Sequence, residues 1–325
     1  MKILITTYHQ AFLKPGGGEN ELLEMVTNFS DNGVKADIYG HTSRPLDFYD
    51  AVVHFSAHGG GEQLLENIKK AGKPIILIPN FDYFGGDGSS TEVVKSHQAL
   101  ADLIIVRSDA ARQIIIDDYD VEPDKVRTIK VGVKSSYGAQ MKPGIFSEAY
   151  GIDNFGLWVG KISEHKRHLE TLKMLQDVDT DFVLLGGYQD KKYLQDCRQV
   201  SNNKTHFLGQ IKPASEMLRA AYKDCSFYLE LGDDYPGISA VEAFVCGCPM
   251  ILKEHPWSRE YFGDFPTYVS GNDANELVDA ISELQEKSGN HPNSPQKDLK
   301  RFIQPAPTSE LKGAIEELIA NMASK

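Results

Sequence analysis

Short apolar runs alternate with segments of helical periodicity along most of the chain, and this alternation constrains the fold more than any other feature. In the first half the predicted elements are strand 2–6, helix 20–33, strands 36–40 and 51–55, helix 61–72, strands 74–78 and 103–107, and helix 108–116. Strands that alternate with helices are typical of a parallel sheet covered by helices on both faces. The sequence therefore predicts an α/β protein.

A stretch rich in Gly and Pro, residues 135–156, interrupts this alternation and lacks a long periodic face. Beyond it the predicted strands are 157–160, 182–187, 205–211, 227–231, 249–253 and 266–270. The predicted helices are 167–176, 190–200, 214–223, 239–247, 273–286 and an amphipathic final helix, 309–325. We expect two Rossmann-like α/β/α domains, residues 1–145 and 146–308, facing a central cleft that is the expected ligand site.

Charge and cysteine content exclude several classes of protein. The chain of 325 residues has a net charge of −12, which argues against a nucleic-acid partner and against docking on anionic lipid through charge alone. No uninterrupted apolar stretch is long enough for a membrane span, and no signal peptide is recognisable. The four cysteines lack metal-ligand spacing and fit a reduced interior. We expect a cytoplasmic protein with at most peripheral membrane contact.

Nucleotide-binding motifs of the best-known kinds are missing, but glycines and lysines stand where an anion could bind. Neither a Gly-x-Gly-x-x-Gly run after the first strand nor a P-loop motif is present. Gly17 and Gly18 precede the first helix, where helix amides can face an anion, although a flexible turn explains them equally well. Lys161 and Lys166 follow the strand at 157–160, and in open α/β sheets ligands bind beyond the carboxyl ends of strands. Two amines there could neutralise a diphosphate leaving group.

A second motif, DDYPGISAVEAFVCGCP at 233–249, places Asp234 and Glu242 on either side of a predicted helix start. Together with the glycine loop, VGKISEHK (159–166) and HFLGQI (206–211), it resembles the motifs of family 4 glycosyltransferases of the GT-B fold. That resemblance covers most of the chain and is strongest between residues 157 and 251. It implies a retaining enzyme that moves a sugar from a UDP- or GDP-linked donor to a glycan, lipid-linked or small-molecule acceptor. It also implies that helix 309–325 crosses back to the first domain.

The resemblance assigns roles residue by residue. The catalytic candidates are Asp234, beside the donor sugar, and Lys161 and Lys166, on the diphosphate. For donor binding, Glu242 is assigned to the ribose hydroxyls and the backbone near Ile211 to the base. The amides of Gly237, Ile238 and Ser239 are assigned to the sugar and the diphosphate. Gly17 and Gly18 are also assigned to the donor. Acceptor-side candidates are His54, Asn80 and Asp82.

Some positions depart from the family pattern. Asp234 stands where Glu is usual, Lys161 where Arg is usual, and the region of Asn80 and Asp82 lacks a family His. The Asp pairs at 118/120 and 177/179 fit solvated turns, so we expect no metal ion and no cofactor. His54 fits a packed structural histidine as well as an acceptor residue. Two alternatives stay open: a catalytically silent sugar-nucleotide-binding subunit, and a sugar-nucleotide epimerase of the same fold.

Overall fold

The computed structural model of the chain describes residues 1–13, 17–81, 91–233, 237–286 and 299–324. Its strands are β1 Lys2–Thr7, β2 Lys35–Ile38, β3 Ala51–Phe55, β4 Ile75–Ile78, β5 Leu103–Val106, β6 Val126–Thr128, β7 Gly156–Val159, β8 Phe182–Leu185, β9 Thr205–Gly209, β10 Phe227–Glu230, β11 Met250–Lys253 and β12 Thr267–Val269. Its α-helices are α1 Gly17–Asp31, α2 Glu62–Lys70, α3 Thr91–Leu100, α4 Asp109–Tyr119, α5 Ile145–Tyr150, α6 His168–Met174, α7 Lys191–Val200, α8 Glu216–Asp224, α9 Ile238–Cys246, α10 Pro256–Phe262, α11 Ala274–Glu286 and α12 Ala306–Ala323.

Contacts within the chain divide it into two compact units. Unit 1 consists of residues Met1–Gly132 and Gln304–Lys325, and unit 2 of Val133–Ile303. The division falls before the boundary predicted near residue 145, because the intervening segment packs on unit 2. The amides of Gly144 and Phe146 donate to the Asp224 carboxylate, each over 2.7 Å, and the Tyr137 ring lies edge-on to Tyr222.

Unit 1 contains a six-stranded parallel sheet in the order β2-β1-β3-β4-β5-β6. Every residue of β3, β4 and β5 is buried, as expected where helices cover both faces of a parallel sheet. Helix α12 contributes Leu311, Ala314 and Ile315 to the same apolar core as Ile3 and Ile5 of β1. Unit 1 is thus built from two segments that are distant in sequence.

Unit 2 contains a second six-stranded parallel sheet, in the order β12-β11-β10-β7-β8-β9. Its core packs Trp158 of β7, Phe182 of β8 and Phe227 of β10 against apolar side chains of α6, α7 and α11. The predicted fold class, α/β with two Rossmann-like domains, is confirmed. In the ranges that the structure describes, no helix is both long and apolar enough to cross a membrane.

The sequence interpretation did not include α3, β6, α5 or α10. Strand β6 is only three residues long, VRT, and contains one apolar residue, so it carries no strand pattern. Helix α10 starts at Pro256 and is capped by His255, a residue that is not among the usual N-caps. Ser108, the first residue of the predicted helix 108–116, is the N-cap of α4, and its Oγ accepts a 3.0 Å hydrogen bond from the Ala111 amide.

Candidate active site

The strand order reverses direction once in each sheet, between β1 and β3 in unit 1 and between β7 and β10 in unit 2. At such a point the loops leaving neighbouring strands run to opposite sides and leave a crevice at the carboxyl ends, where open α/β sheets bind ligands. In unit 2 the loop after β7 carries Lys161 and Lys166, and β10 ends at Glu230. The lysines predicted from the sequence therefore lie at the reversal point of unit 2.

The two lysines differ in their surroundings. Lys166 Nζ lies 3.0 Å from Glu230 Oε1, and only 14% and 8% of the two side chains are exposed. Lys161 is half-buried and forms no ion pair with any residue that the structure describes. The carboxylate beside Lys166 was not anticipated, since Glu230 lies within an apolar strand motif.

Glu230 is part of a chain of buried polar groups. Its Oε2 accepts a 2.6 Å hydrogen bond from the Tyr228 hydroxyl, which also lies 3.2 Å from Ser239 Oγ. A phenol has one hydrogen to donate, so the Ser239 hydroxyl donates to the Tyr228 oxygen. Burial, and then the nearby Glu230 charge, raise the pKa of Tyr228 far above its usual value. This series of hydrogen bonds connects the first turn of α9 with Glu230 and, through its ion pair, with Lys166.

The loop between β7 and α6 is held close to the end of β8. The Gly160 amide donates to the Leu185 carbonyl over 2.9 Å, and the Ile162 amide to the Gly187 carbonyl over 2.8 Å. A Cβ atom on Gly186 would lie 1.8 Å from the Gly160 carbonyl oxygen. Only glycine fits at position 186, so the backbone that carries Lys161 is fixed by β8.

Helix α9 begins at Ile238 with Gly237, which has no side chain, as its N-cap. The amides of the first turn of a helix lack intrahelical partners and favour negative charge. The predicted amides of Gly237, Ile238 and Ser239 are therefore at a helix N-terminus. Asp234, the predicted sugar-side acid, lies outside the described residues.

Glu242 lies one turn into α9 and is buried, with 6% of the residue exposed. Its Oε2 accepts a 2.8 Å hydrogen bond from the Tyr222 hydroxyl. The pKa of Tyr137 is raised by its burial and then by Glu242, which it also contacts through a hydrogen bond. Burial followed by the Glu242 charge likewise raises the pKa of Tyr222 well above its usual value. Tyr137 and Tyr222 were not identified from the sequence, where both resemble ordinary core aromatics.

Two further features of unit 2 adjoin these residues. His168 is buried and stacks on Trp158 at 4.2 Å; burial, and then the charge of Lys166, lower its pKa to about 3. Asp233 lies between Arg167, whose Nε is 3.7 Å from it, and Lys253, with which it forms an ion pair. Ile211, predicted to recognise the base, lies beyond the carboxyl end of the edge strand β9.

In unit 1 the structure brings Gly18 and Asn80 together. A Cβ atom on Gly18 would lie 2.9 Å from Asn80 Nδ2, which donates a 3.1 Å hydrogen bond to Ser56 Oγ. Ser56 and Asn80 follow β3 and β4 and have φ values of 78° and 44°, in the left-handed region. Non-glycine residues held in this region cluster at functional sites. Gly17 precedes Gly18 as the first residue of α1, and nothing lies within 4 Å of a Cβ placed on it.

His54 is packed inside unit 1. It is 0% exposed, its Nδ1 lies 2.9 Å from Thr6 Oγ1, and its ring lies 5.4 Å from that of His97. Burial and the neighbouring His97 lower the pKa of His54 to about 3. In this conformation the side chain has no exposed atom for an acceptor, so the geometry fits the structural alternative. Asp82 lies outside the described residues.

Metal ligation has no support within the described ranges, where no group of three or more His, Cys, Asp or Glu side chains is placed to hold an ion. Cys197, Cys225, Cys246 and Cys248 are buried free thiols.

Residues 147–306, just under half of the chain, match the sequence model of the family described as "Glycosyl transferases group 1". No curated protein matches the chain. The structure is similar to that of HepE from Anabaena in complex with UDP and glucose, with a TM-score of 0.77, 15% identity, and coverage of 98% of this chain and 100% of that one.

Two other solved structures share the fold. A sucrose-phosphate synthase from Thermosynechococcus elongatus has a TM-score of 0.80 at 14% identity, with 99% of this chain and 100% of that chain covered. A UDP-GlcNAc 2-epimerase from Methanocaldococcus jannaschii has a TM-score of 0.56 at 11% identity, with 98% and 100% covered. At these identities the likeness describes the GT-B fold. The family match covers nearly all of unit 2, so this unit is similar in sequence to the glycosyltransferases of group 1.

Proposed function

We propose that this chain is a retaining glycosyltransferase that moves a sugar from a UDP- or GDP-linked donor to a glycan, lipid-linked or small-molecule acceptor. One observation carries the proposal: Lys161, Lys166 and the N-terminus of α9 lie at the reversal point of unit 2, the unit whose sequence matches the group 1 model. Positive charge and helix amides suit a diphosphate leaving group.

In the proposed reaction the bond between the anomeric carbon and the diphosphate oxygen breaks, and the acceptor hydroxyl attacks the same face of the sugar. The departing phosphate oxygen takes the acceptor proton, so no side chain has to act as the base. Lys161 and the α9 amides stabilise the negative charge that grows on the leaving group. We assign Glu242 to the ribose hydroxyls and Asp234 to orientation of the sugar.

Inversion would require a general base opposite the leaving group. At the family's His position this chain has Asn80, whose amide cannot accept a proton at neutral pH. We propose that the reaction needs no metal ion, because lysine ammonium groups supply the positive charge.

The anomeric configuration of the product tests the proposal. Thermal melting with UDP, GDP and ADP sugars first identifies the donor, since a ligand that binds the folded state raises the melting temperature. Proton NMR of the fresh product should then show the anomer of the donor. An inverted anomer would overturn the mechanism. Donor binding without transfer or hydrolysis would indicate the silent subunit, and a change of configuration within the donor sugar would indicate the epimerase.

A further inference from the structure

Glu230 places a buried negative charge among the groups proposed to bind the diphosphate. It is the last residue of β10, at the point where the strand order of unit 2 reverses. Its carboxylate is 3.0 Å from the Lys166 ammonium, and the Glu230 side chain is 8% exposed. Salt screens buried pairs far less than exposed ones, so the carboxylate offsets much of the lysine's positive charge in the site.

The carboxylate is also held in one position. Its second oxygen is bonded by Tyr228, which is in turn bonded by Ser239 of α9. Both Tyr228 and Ser239 are buried, and the three residues come from β10 and α9, with Lys166 from the loop after β7. Glu230 therefore cannot turn away from Lys166 without breaking a buried hydrogen bond, which is costly.

We propose that Glu230 is a positioning residue that fixes Lys166 and lowers the affinity of the site for the nucleoside diphosphate product. The inference rests on the function proposed above. A carboxylate and a diphosphate next to the same ammonium repel each other. This repulsion weakens binding of the product more than binding of the donor, because the terminal phosphate gains a further negative charge once the sugar has left. Glu230 thereby favours release of the product over release of the donor.

Glu230→Gln removes the charge and keeps the shape. The amide oxygen can still accept from Lys166, and the amide nitrogen can donate to the Tyr228 oxygen if Tyr228 donates to Ser239 instead. Glu286→Gln is the matched control, because Glu286 is an exposed carboxylate at the end of α11 and its loss changes the net charge equally. Melting temperatures of the variants establish that each is folded under the conditions of the titrations.

The test is calorimetric titration of the full chain with UDP, UDP-glucose, GDP and GDP-mannose. For the nucleotide that binds, Glu230→Gln should bind the free diphosphate about tenfold more tightly, the scale for one unit charge near a bound anion. The sugar conjugate should gain less, and the affinity should fall more steeply with added salt than in the wild type. Glu286→Gln should match the wild type.

A purely structural Glu230 would weaken binding when replaced. Equal or weaker binding of the diphosphate to Glu230→Gln therefore overturns the inference and leaves the proposed function standing. Failure of the wild-type protein to bind any of the four nucleotides overturns the proposed function and the inference with it.

Discussion

The Tyr222 hydroxyl donates a 2.8 Å hydrogen bond to Glu242 Oε2, and both side chains are buried. A carboxylate held by tyrosines in this way has a fixed orientation, which is what recognition of a pair of neighbouring hydroxyls requires. Helix α9 supplies the carboxylate and α8 supplies Tyr222, so the orientation depends on two helices.

Glu242→Gln should abolish discrimination between ribose and deoxyribose. If Glu242 accepts hydrogen bonds from the ribose, the wild type should bind UDP (or GDP) more tightly than its 2′-deoxy form by about 1–3 kcal/mol. The glutamine variant should bind both with similar affinity, and Tyr222→Phe should lose part of the difference. Titration calorimetry measures all of these values. Undiminished discrimination in Glu242→Gln would remove the residue from the ribose site.

Lys161→Ala should weaken binding of the nucleoside diphosphate by about 1–3 kcal/mol without a comparable loss of stability. The reason is that Lys161 makes no ion pair with the described part of the chain, so its ammonium is available to the phosphates. Calorimetric titration gives the affinity, and urea unfolding gives the stability. An unchanged affinity would contradict the assignment of Lys161 to the diphosphate.

Lys166→Met should lower the stability of the protein, because it leaves the buried Glu230 carboxylate without its ion-pair partner. Breaking a buried pair on one side costs about 3–5 kcal/mol, whereas replacing both partners costs far less. The double variant Lys166→Met/Glu230→Gln should therefore be more stable than Lys166→Met alone. Urea unfolding of the wild type, Lys166→Met and the double variant measures the three free energies of unfolding. A double variant that is no more stable than Lys166→Met would contradict a buried ion pair.

Gly186→Ala should destabilise the protein by about 4 kcal/mol or more, because the added methyl carbon would meet the Gly160 carbonyl oxygen at 1.8 Å. Gly187→Ala is the control, since the nearest atom to its Cβ would be Gln210 Oε1 at 3.9 Å. Urea unfolding of the two variants measures the difference. Similar free energies of unfolding would show that the two loops are not pressed together as described.

Acid should destabilise the fold through His54 and His168. Both have pKa values near 3 in the folded protein, against an ordinary value of 6.5, because burial disfavours their protonation. Their contribution to stability is complete above pH 6.5 and is lost as the pH falls from 6.5 toward 3. The loss is about 1.4 kcal/mol per pH unit for each histidine.

His168→Phe keeps a ring against Trp158 and removes the titration. Between pH 7 and pH 5 its free energy of unfolding, from urea denaturation, should fall by about 2 kcal/mol less than that of the wild type. Parallel pH profiles for the two proteins would show that His168 is not the titrating group.

The sequence predicted every described strand except β6, because buried parallel strands leave strong local patterns. Strand 74–78 is a continuous apolar run in the sequence, and strand 51–55 is an apolar run that contains one polar residue, His54. What the sequence could not supply is pairing between distant residues. Glu230 in FYLEL looks like one polar residue at the end of a strand, and only the folded sheet brings it to Lys166. Tyr137 and Tyr222 lie 85 positions apart and converge on Glu242 only after folding.

Helix α12 shares a core with β1, so unit 1 cannot complete its folding until the end of the chain has been synthesised. Unit 2 is a continuous segment, Val133–Ile303, that is synthesised before α12 and emerges from the ribosome ahead of it. Until then the apolar surface that Leu311, Ala314 and Ile315 cover stays bare on the nascent chain. Unit 2, translated later than the first strands, is thus the first of the two that can fold completely, which reverses the usual rule that the amino-terminal domain finishes first.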